Sequence, residues 1–390
     1  MKKNVGLLTM HRVVNCGSQL QTYALQKTVE NLGYACEVID YKYPDIYHYH
    51  QKMGTGDFST IKGVMKKLMY CLGLLRFAQA LNIRLFNLRT GAKLRCGFKG
   101  VNLTRPYTIN SIKRTPPKYD IFLSGSDQVW NPGCIVGDYT FLFDFVRDGS
   151  RKIAYSSSFG LKALPDEVKA DYKRLLKEFG AIGVRETSGV EIVKDLTGQD
   201  AVAVLDPTML LSVAQWEGYA TQTRLNERRY IFCYVLSYVF KSTPWIMGYA
   251  TRIAELLGCE VVFYGGGERD CLADARAAGF KVIDRYISPQ EFIRYYLDAE
   301  YVIATGFHGT AFSITLGKNF SVVANPHPTN DDRVMSLVRR LGLEERSITC
   351  GEDYSWLDTK WLKRGVPKAE KEFERQKRLS LDFLKGALGE

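Results

Sequence analysis

The chain has 390 residues, 46% of them hydrophobic, enough to fill the cores of two ordinary domains and too apolar for a disordered protein. Its nine cysteines are scattered, with no CxxC pair and no histidine cluster at zinc-site spacing. Neither a disulfide framework nor a structural metal is supported, and most of the thiols read as reduced, buried residues of a cytosolic protein. The formal charge of +11 is uneven: no Asp or Glu occurs from Phe58 through Tyr119, an interval carrying 13 Lys and Arg.

Val5 to Met10 is an apolar run too short to span a membrane and lacking the cleavage pattern of a signal peptide, so it reads as the first buried strand. The loop His11-Arg12-Val13-Val14-Asn15-Cys16-Gly17-Ser18 follows. A helix is expected from about Ser18 to Leu32, ended by Gly33, and then a strand from Ala35 to Asp40. In the loop Gly17 permits close backbone approach, Ser18 can cap the helix, and Arg12 or Asn15 can meet a polar ligand. The same residues also suit turn and cap geometry alone. The spacing is neither GxGxxG nor a P-loop, which leaves NAD binding and ATP hydrolysis unsupported.

Within the acid-poor interval, Ile61 to Phe77 mixes basic and apolar residues as an interfacial helix does, with Lys62 and Lys66 on one face. Contact with a membrane surface, helix packing and dimerisation all fit this pattern. Nucleic acid does not fit, because the aromatics form no stacking platform and no zinc-finger spacing is present.

Strand-then-turn patterns resume at Tyr119 to Asp127 and Arg151 to Ser158, and strand tips are where open α/β sheets meet ligands. Ser124-Gly125-Ser126-Asp127-Gln128-Val129-Trp130-Asn131 gathers hydroxyls, a carboxylate, an amide and an indole into one turn. That mixture suits a sugar, hydrogen-bonded at its edges and resting on Trp130, and is equally able to cap an element. Asp127 can orient or deprotonate a sugar hydroxyl. Arg185 ends the short strand Ala181 to Arg185, either to grip a carboxylate or phosphate or to pair with Glu186 or Glu191. Asp206 ends a further strand run, and Asp206-Pro207-Thr208 favours a turn role.

A second domain is expected to begin near Arg229, with strands at Tyr230 to Leu236, Glu260 to Tyr264 and Lys281 to Ile283. Tyr264-Gly265-Gly266-Gly267-Glu268 lacks a P-loop lysine and reads more as a connector than as a phosphate loop, leaving Glu268 a candidate contact. The junction Ala304-Thr305-Gly306-Phe307-His308-Gly309-Thr310-Ala311 joins a strand to a helix continuing from Thr310 to Leu316. A helix start offers unpaired N–H groups that suit phosphate or carboxylate, and His308 can exchange a proton beside the anion. Gly306, Gly309 and Thr310 are the accompanying donor contacts. The alternative is a surface-loop histidine between turn glycines.

The expected organisation is an N-terminal α/β domain over 1–228 with a basic helical insertion near 58–119, a C-terminal α/β domain over 229–359, and a helical segment over 360–390 packing back or solvated. A cleft separates the two domains.

The ordered set of motifs resembles the polysaccharide pyruvyl transferase family. The resemblance rests on His11 to Ser18, Gly125 to Trp130, Gly183-Val184-Arg185-Glu186, Leu205-Asp206-Pro207-Thr208 and Gly306-Phe307-His308-Gly309. It implies two Rossmann-like domains in a GT-B-like arrangement and transfer of pyruvate from phosphoenolpyruvate to two hydroxyls of a glycan precursor sugar. It also implies His308 as the principal catalytic residue and Arg185 as a ligand of the donor's anionic groups. No cofactor or metal is required. Arg12, Asn15, Ser18, Ser126, Gln128, Trp130 and Glu268 are candidate contacts to donor or acceptor. The acceptor sugar can be lipid- or nucleotide-linked, the setting exopolysaccharide or capsule synthesis, and the location cytoplasmic, with peripheral contact at the inner membrane face through residues 61–77. Competing readings are a nucleotide-sugar glycosyltransferase in the same cleft and a noncatalytic glycan- or membrane-binding protein.

Overall fold

Short apolar runs bounded by polar turns become strands covered on both faces: Ile121 to Ser124, Tyr230 to Tyr234 and Tyr301 to Ala304 are buried throughout, as strands of a helix-covered parallel sheet must be. A computed structural model describes residues 3–42, 91, 93–135, 137–236, 242–265, 270–327 and 333–389. It contains two six-stranded, wholly parallel sheets. The first comprises β1 (Asn4–Leu8), β2 (Ala35–Val38), β3 (Ile121–Ser124), β4 (Arg151–Ser157), β5 (Phe179–Val184) and β6 (Val202–Ala203) in the order β2-β1-β3-β4-β5-β6. The second comprises β7 (Tyr230–Tyr234), β8 (Glu260–Tyr264), β9 (Lys281–Ile283), β10 (Tyr301–Ala304), β11 (Phe320–Ala324) and β12 (Ser347–Thr349) in the order β12-β11-β10-β7-β8-β9. Each sheet is wound outward in both directions, from β1 and β3 in the first and from β7 and β10 in the second. Ligands of such sheets sit beyond the carboxyl ends of the strands at these reversal points.

Two helices leave the reversal points: α1 (Cys16–Asn31) after β1, and, after α2 (Thr187–Thr197), α3 (Val213–Tyr219) and α4 (Pro289–Asp298), the short α5 (Phe307–Thr315) after β10. Both begin earlier than the sequence patterns suggest. The N-cap of α1 is Asn15, whose side-chain oxygen accepts from the amides of Gly17 (2.8 Å) and Ser18 (3.3 Å). Ser18 therefore lies inside the helix and does not cap it. Because α5 starts at Phe307, His308 stands in the first turn of the helix and not in the loop before it.

The lobes meet along an apolar seam in which Cys16, Leu20 and Ala24 of α1 share one core with Met209, Leu211 and Trp216 and with Phe307, Ala311 and Phe312 of α5. Trp216 meets Phe312 edge-on at 5.2 Å. Each large side chain buried there contributes about 1.5–3 kcal/mol, so the two helix starts are held against each other by packing. Arg340 of α6 (Arg333–Arg340) reaches from the second lobe to the carbonyls of Arg185 (3.1 Å) and Ala203 (3.0 Å) in the first. The last helix, α7 (Pro367–Leu388), returns to the first sheet, where Ser380 accepts from the Leu205 amide at 2.9 Å. Its Phe383 occupies the space in front of Gly183, where an added Cβ would lie 2.6 Å from the ring. Among the described residues, no helix is long and apolar enough to cross a membrane. The basic segment 61–77 and Glu268 lie outside the described residues.

Candidate active site

The start of α5 carries no side-chain cap: Gly306 occupies the N-cap position and offers no side-chain acceptor to the first amides. Gly306 and Gly309 are small for packing reasons. A Cβ on the first would lie 2.8 Å from Leu236 Cδ1, and on the second 2.9 Å from Ala304 Cβ. The Thr310 hydroxyl, expected to face a donor, instead donates to the Gly306 carbonyl at 3.1 Å and is fully buried, so it steadies the helix start.

The His308 side chain is 13% exposed and its Nε2 lies 3.9 Å from Asp206 Oδ2, too far for a hydrogen bond. That nitrogen is buried and has no hydrogen-bond partner among the described residues. The ring rests against Gly17 of the other lobe, where an added Cβ would lie 2.3 Å from both Cγ and Nδ1. Gly17, in the first turn of α1, is thus required by the imidazole lying on it.

Arg185 is still more enclosed. Its Nε donates to Glu186 Oε1 at 3.0 Å, its Nη1 to Asp206 Oδ2 at 3.4 Å, and its guanidinium lies over the Phe307 ring at 4.2 Å. The sequence left open a salt bridge or an anion contact. The salt bridge to Glu186 forms, yet Nη2 remains buried without a partner among the described residues. A buried donor left unpaired costs about 1–3 kcal/mol, and such atoms in native proteins call for an explanation.

Asp206 performs its expected turn role and a second one. Its Oδ1 accepts from the Thr208 amide (3.0 Å) and hydroxyl (2.7 Å), while Oδ2 accepts from Ser126 Oγ at 2.7 Å and faces Arg185 and His308. Asp127 approaches from the tip of β3. It accepts from Ser18 Oγ at 2.5 Å and from the Gln128 amide at 2.9 Å. Asp127 (φ 73°) and Ser156 (φ 57°) both adopt left-handed backbone without being glycine. Strain of about 1–3 kcal/mol per such residue is characteristic of functional sites.

The charges of this cluster act on one another. Burial pushes His308 below its ordinary value, Asp206 and Asp127 pull it back up, and Arg185 and Arg333 add to the depression. Burial alone would raise the Asp127 carboxyl, but His308 and Arg185 nearby, with the Ser18 hydroxyl, hold it below its ordinary value.

The structure therefore brings Ser18, Ser126, Asp127, Arg185, Gly306 and His308 to one place and gives Arg12, Asn15, Gln128, Trp130 and Thr310 other partners. Trp130, expected to carry a sugar ring, is fully buried between Phe159 and Phe179 at 5.4 Å from each, because so large an apolar face gains more inside the core. Arg12 is committed to Asp40 through Nε (2.5 Å) and Nη2 (2.6 Å). Asn15 is committed to its cap. Gln128 accepts from Asn131 Nδ2 at 2.7 Å. Sequence reasoning passed over Phe307, beneath Arg185; it named Glu186 as a possible ion-pair partner of Arg185, and that pair forms. Position within a strand-tip motif was the available signal, but which tips adjoin depends on strand order. Among the described residues, no group of three or more His, Cys, Asp or Glu is arranged to hold a metal ion.

Known structures superpose on this one at low identity. A Listeria monocytogenes protein described as a putative UDP-N-acetylglucosamine 2-epimerase superposes with a TM-score of 0.52 at 10% identity, over 99% of this chain and 91% of its own. Arabidopsis thaliana UGT89C1, solved with UDP-L-rhamnose, gives 0.49 at 11% identity over 100% of this chain and 99% of its own. The two-lobed α/β arrangement is GT-B-like, as the resemblance implied. No curated protein sequence matches the chain. The family model for polysaccharide pyruvyl transferase matches residues 15–328, a span running from the Asn15 cap through Asp127, Arg185 and Asp206 to beyond His308. With more than half of the chain inside that span, the chain belongs to the polysaccharide pyruvyl transferase family, a family of transferase enzymes.

Proposed function

We propose that the protein transfers pyruvate from phosphoenolpyruvate to two hydroxyls of a glycan precursor sugar, forming a cyclic ketal and releasing phosphate. The observation that carries this reading is the pair Arg185 Nη2 and His308 Nε2, both buried and, among the described residues, unpartnered beside the uncapped start of α5. A guanidinium N–H, helix-start amides and a titratable ring suit a small, multiply charged anion that must also receive a proton.

The chemistry follows from the donor. A proton added to the methylene carbon of phosphoenolpyruvate makes it the ketal methyl and develops positive charge on the central carbon. One sugar hydroxyl adds there and loses its proton, phosphate departs with its bonding electrons, and the second hydroxyl closes the ring on the same carbon with loss of its own proton. His308 supplies the first proton: a ring held below its ordinary value is, once charged, a stronger acid than a free imidazole. Arg185 and the α5 amides hold the donor and stabilise the charge that departs with phosphate. Asp127, ionised and already accepting from Ser18, orients a sugar hydroxyl more than it deprotonates it, since a depressed carboxyl is a weak base.

We assign the acceptor to a lipid- or nucleotide-linked sugar of exopolysaccharide or capsule synthesis, met in the cytoplasm at the inner membrane face. The test is incubation with phosphoenolpyruvate and a panel of such sugars. Orthophosphate release matched by an acceptor gaining an acid-labile pyruvyl group supports the proposal. Release of nucleotide from a nucleotide-sugar, with phosphoenolpyruvate untouched, replaces it with a glycosyltransferase.

A further inference from the structure

We propose that Asp206 is a positioning residue for both lobes, one buried carboxylate that fixes the Arg185 guanidinium and sets the protonation and tautomer of the His308 ring. The inference deepens the pyruvyl-transfer reading and rests on it for the role of His308 as acid. The turn formed by Asp206-Pro207-Thr208 uses only one carboxylate oxygen: Oδ1 takes both donors of Thr208. Asn or Ser would serve that turn as well. The second oxygen points away from the turn, accepting from Ser126 Oγ at 2.7 Å and Arg185 Nη1 at 3.4 Å, and ends 3.9 Å from His308 Nε2 across the seam. Asp206 is 1% exposed, and a charge so enclosed is retained only where other groups answer it.

The geometry makes the interaction conditional. At 3.9 Å the ring is not hydrogen-bonded to the carboxylate, but a neutral ring carrying its proton on Nε2 turns its N–H dipole towards it, and a ring protonated on both nitrogens is attracted to it as a full charge through a poorly screened interior. The charged groups acting on the ring are Asp206 from the β6 tip, Asp127 from the β3 tip, Arg185 from the β5 tip and Arg333 from α6. The two carboxylates oppose the two arginines and burial, and Asp206 is the stronger carboxylate influence. Asp206 also holds Nη1 of Arg185 while Glu186 holds Nε, which leaves Nη2 as the hydrogen-bonding edge free to meet a ligand.

The experiment is nuclear magnetic resonance of the full chain with ¹⁵N-labelled histidine, in which His308→Gln assigns the ring among the five histidines. The neutral wild-type ring is expected to carry its proton on Nε2. Asp206→Asn is expected to lower the titration midpoint of the ring by about one pH unit or more, and Asp206→Glu to move it back towards wild type. An unchanged midpoint in folded Asp206→Asn overturns the proposal, as does an Nδ1–H tautomer in wild type. The tautomer needs no variant and decides the matter if Asp206→Asn does not fold. Phosphoenolpyruvate added to the same samples separates the two readings. A His308 signal governed by Asp206 but indifferent to phosphoenolpyruvate removes the pyruvyl-transfer reading while the control exerted by Asp206 stands.

Discussion

The β1–α1 and β10–α5 junctions each place a histidine near glycine where a strand feeds a helix, and each lies at the reversal point of its sheet. In the first, His11 has both ring nitrogens engaged, Nδ1 with the Thr9 carbonyl at 3.0 Å and Nε2 with Asp40 at 2.9 Å. Arg12 clasps the same carboxylate, and Asn15 takes the first amides of α1. In the second, among the described residues, the helix start has no side-chain cap, His308 Nε2 has no partner, and the arginine facing it keeps one nitrogen unpaired. The first junction has spent its polar atoms on folding and the second has not. Residue type and loop position identify a candidate site; the count of polar atoms already committed decides whether it can bind.

Exchanging the same mutation between the junctions should separate the two roles. His308→Ala is expected to cut pyruvyl transfer by about 10²–10⁴-fold, the usual share of a general acid, with little change in thermal stability. His11→Ala should spare the chemistry and lower stability by about 1–3 kcal/mol, because it strips a partner from buried acceptors. Comparable losses of activity in both folded variants would erase the distinction. The wild-type pH profile sharpens it. His308 is depressed below its ordinary 6.5, so its acid form is lost as pH rises through a midpoint lying below that value in the free protein. Donor binding and turnover limited by that form should weaken above the midpoint, and a bound anion should displace the midpoint upward.

Gly17 is where the two junctions touch. Gly17→Ala would place a methyl 2.3 Å from the His308 ring and force the imidazole aside, with an expected loss of roughly tenfold to a hundredfold in turnover and a nearly normal melting temperature. Full activity would mean that the ring position is not critical. The smallest effect is expected at the cap: Asn15→Ala should cost about 1 kcal/mol in denaturant unfolding without altering donor affinity.

Much of this architecture was legible because parallel strands covered by helices leave apolar runs that need no partner information to recognise. The placement of β1, β3, β7 and β10 follows from such runs, and the strand-tip positions of Asp127, Arg185 and His308 follow from the polar residues that end them or stand just beyond. Capping was harder to read, since Asn15 and Ser18 are both competent caps and the choice depends on where the hydroxyl finds Asp127, 109 positions away in sequence. Trp130 misled for a related reason: beside Ser126 and Asp127 an indole looks like a sugar platform, yet a ring just past a strand tip can turn towards the cleft or the core, and this one faces Phe159 and Phe179. Asp206 looked like a turn residue because that half of its carboxylate is local, whereas the other half is directed by strand order and by the packing of the second lobe.

The central claim is that the uncapped junction holds phosphoenolpyruvate through Arg185, and calorimetric titration of folded wild type and Arg185→Ala with phosphoenolpyruvate, alongside inorganic phosphate, tests it whatever the acceptor sugar is. Saturable binding that prefers phosphoenolpyruvate to phosphate and weakens about tenfold to a hundredfold in Arg185→Ala, as loss of a charge-assisted contact of about 1.5–3 kcal/mol requires, is the predicted result. Equal affinity of the two proteins for phosphoenolpyruvate, or no binding by either even with an acceptor sugar present, would contradict it.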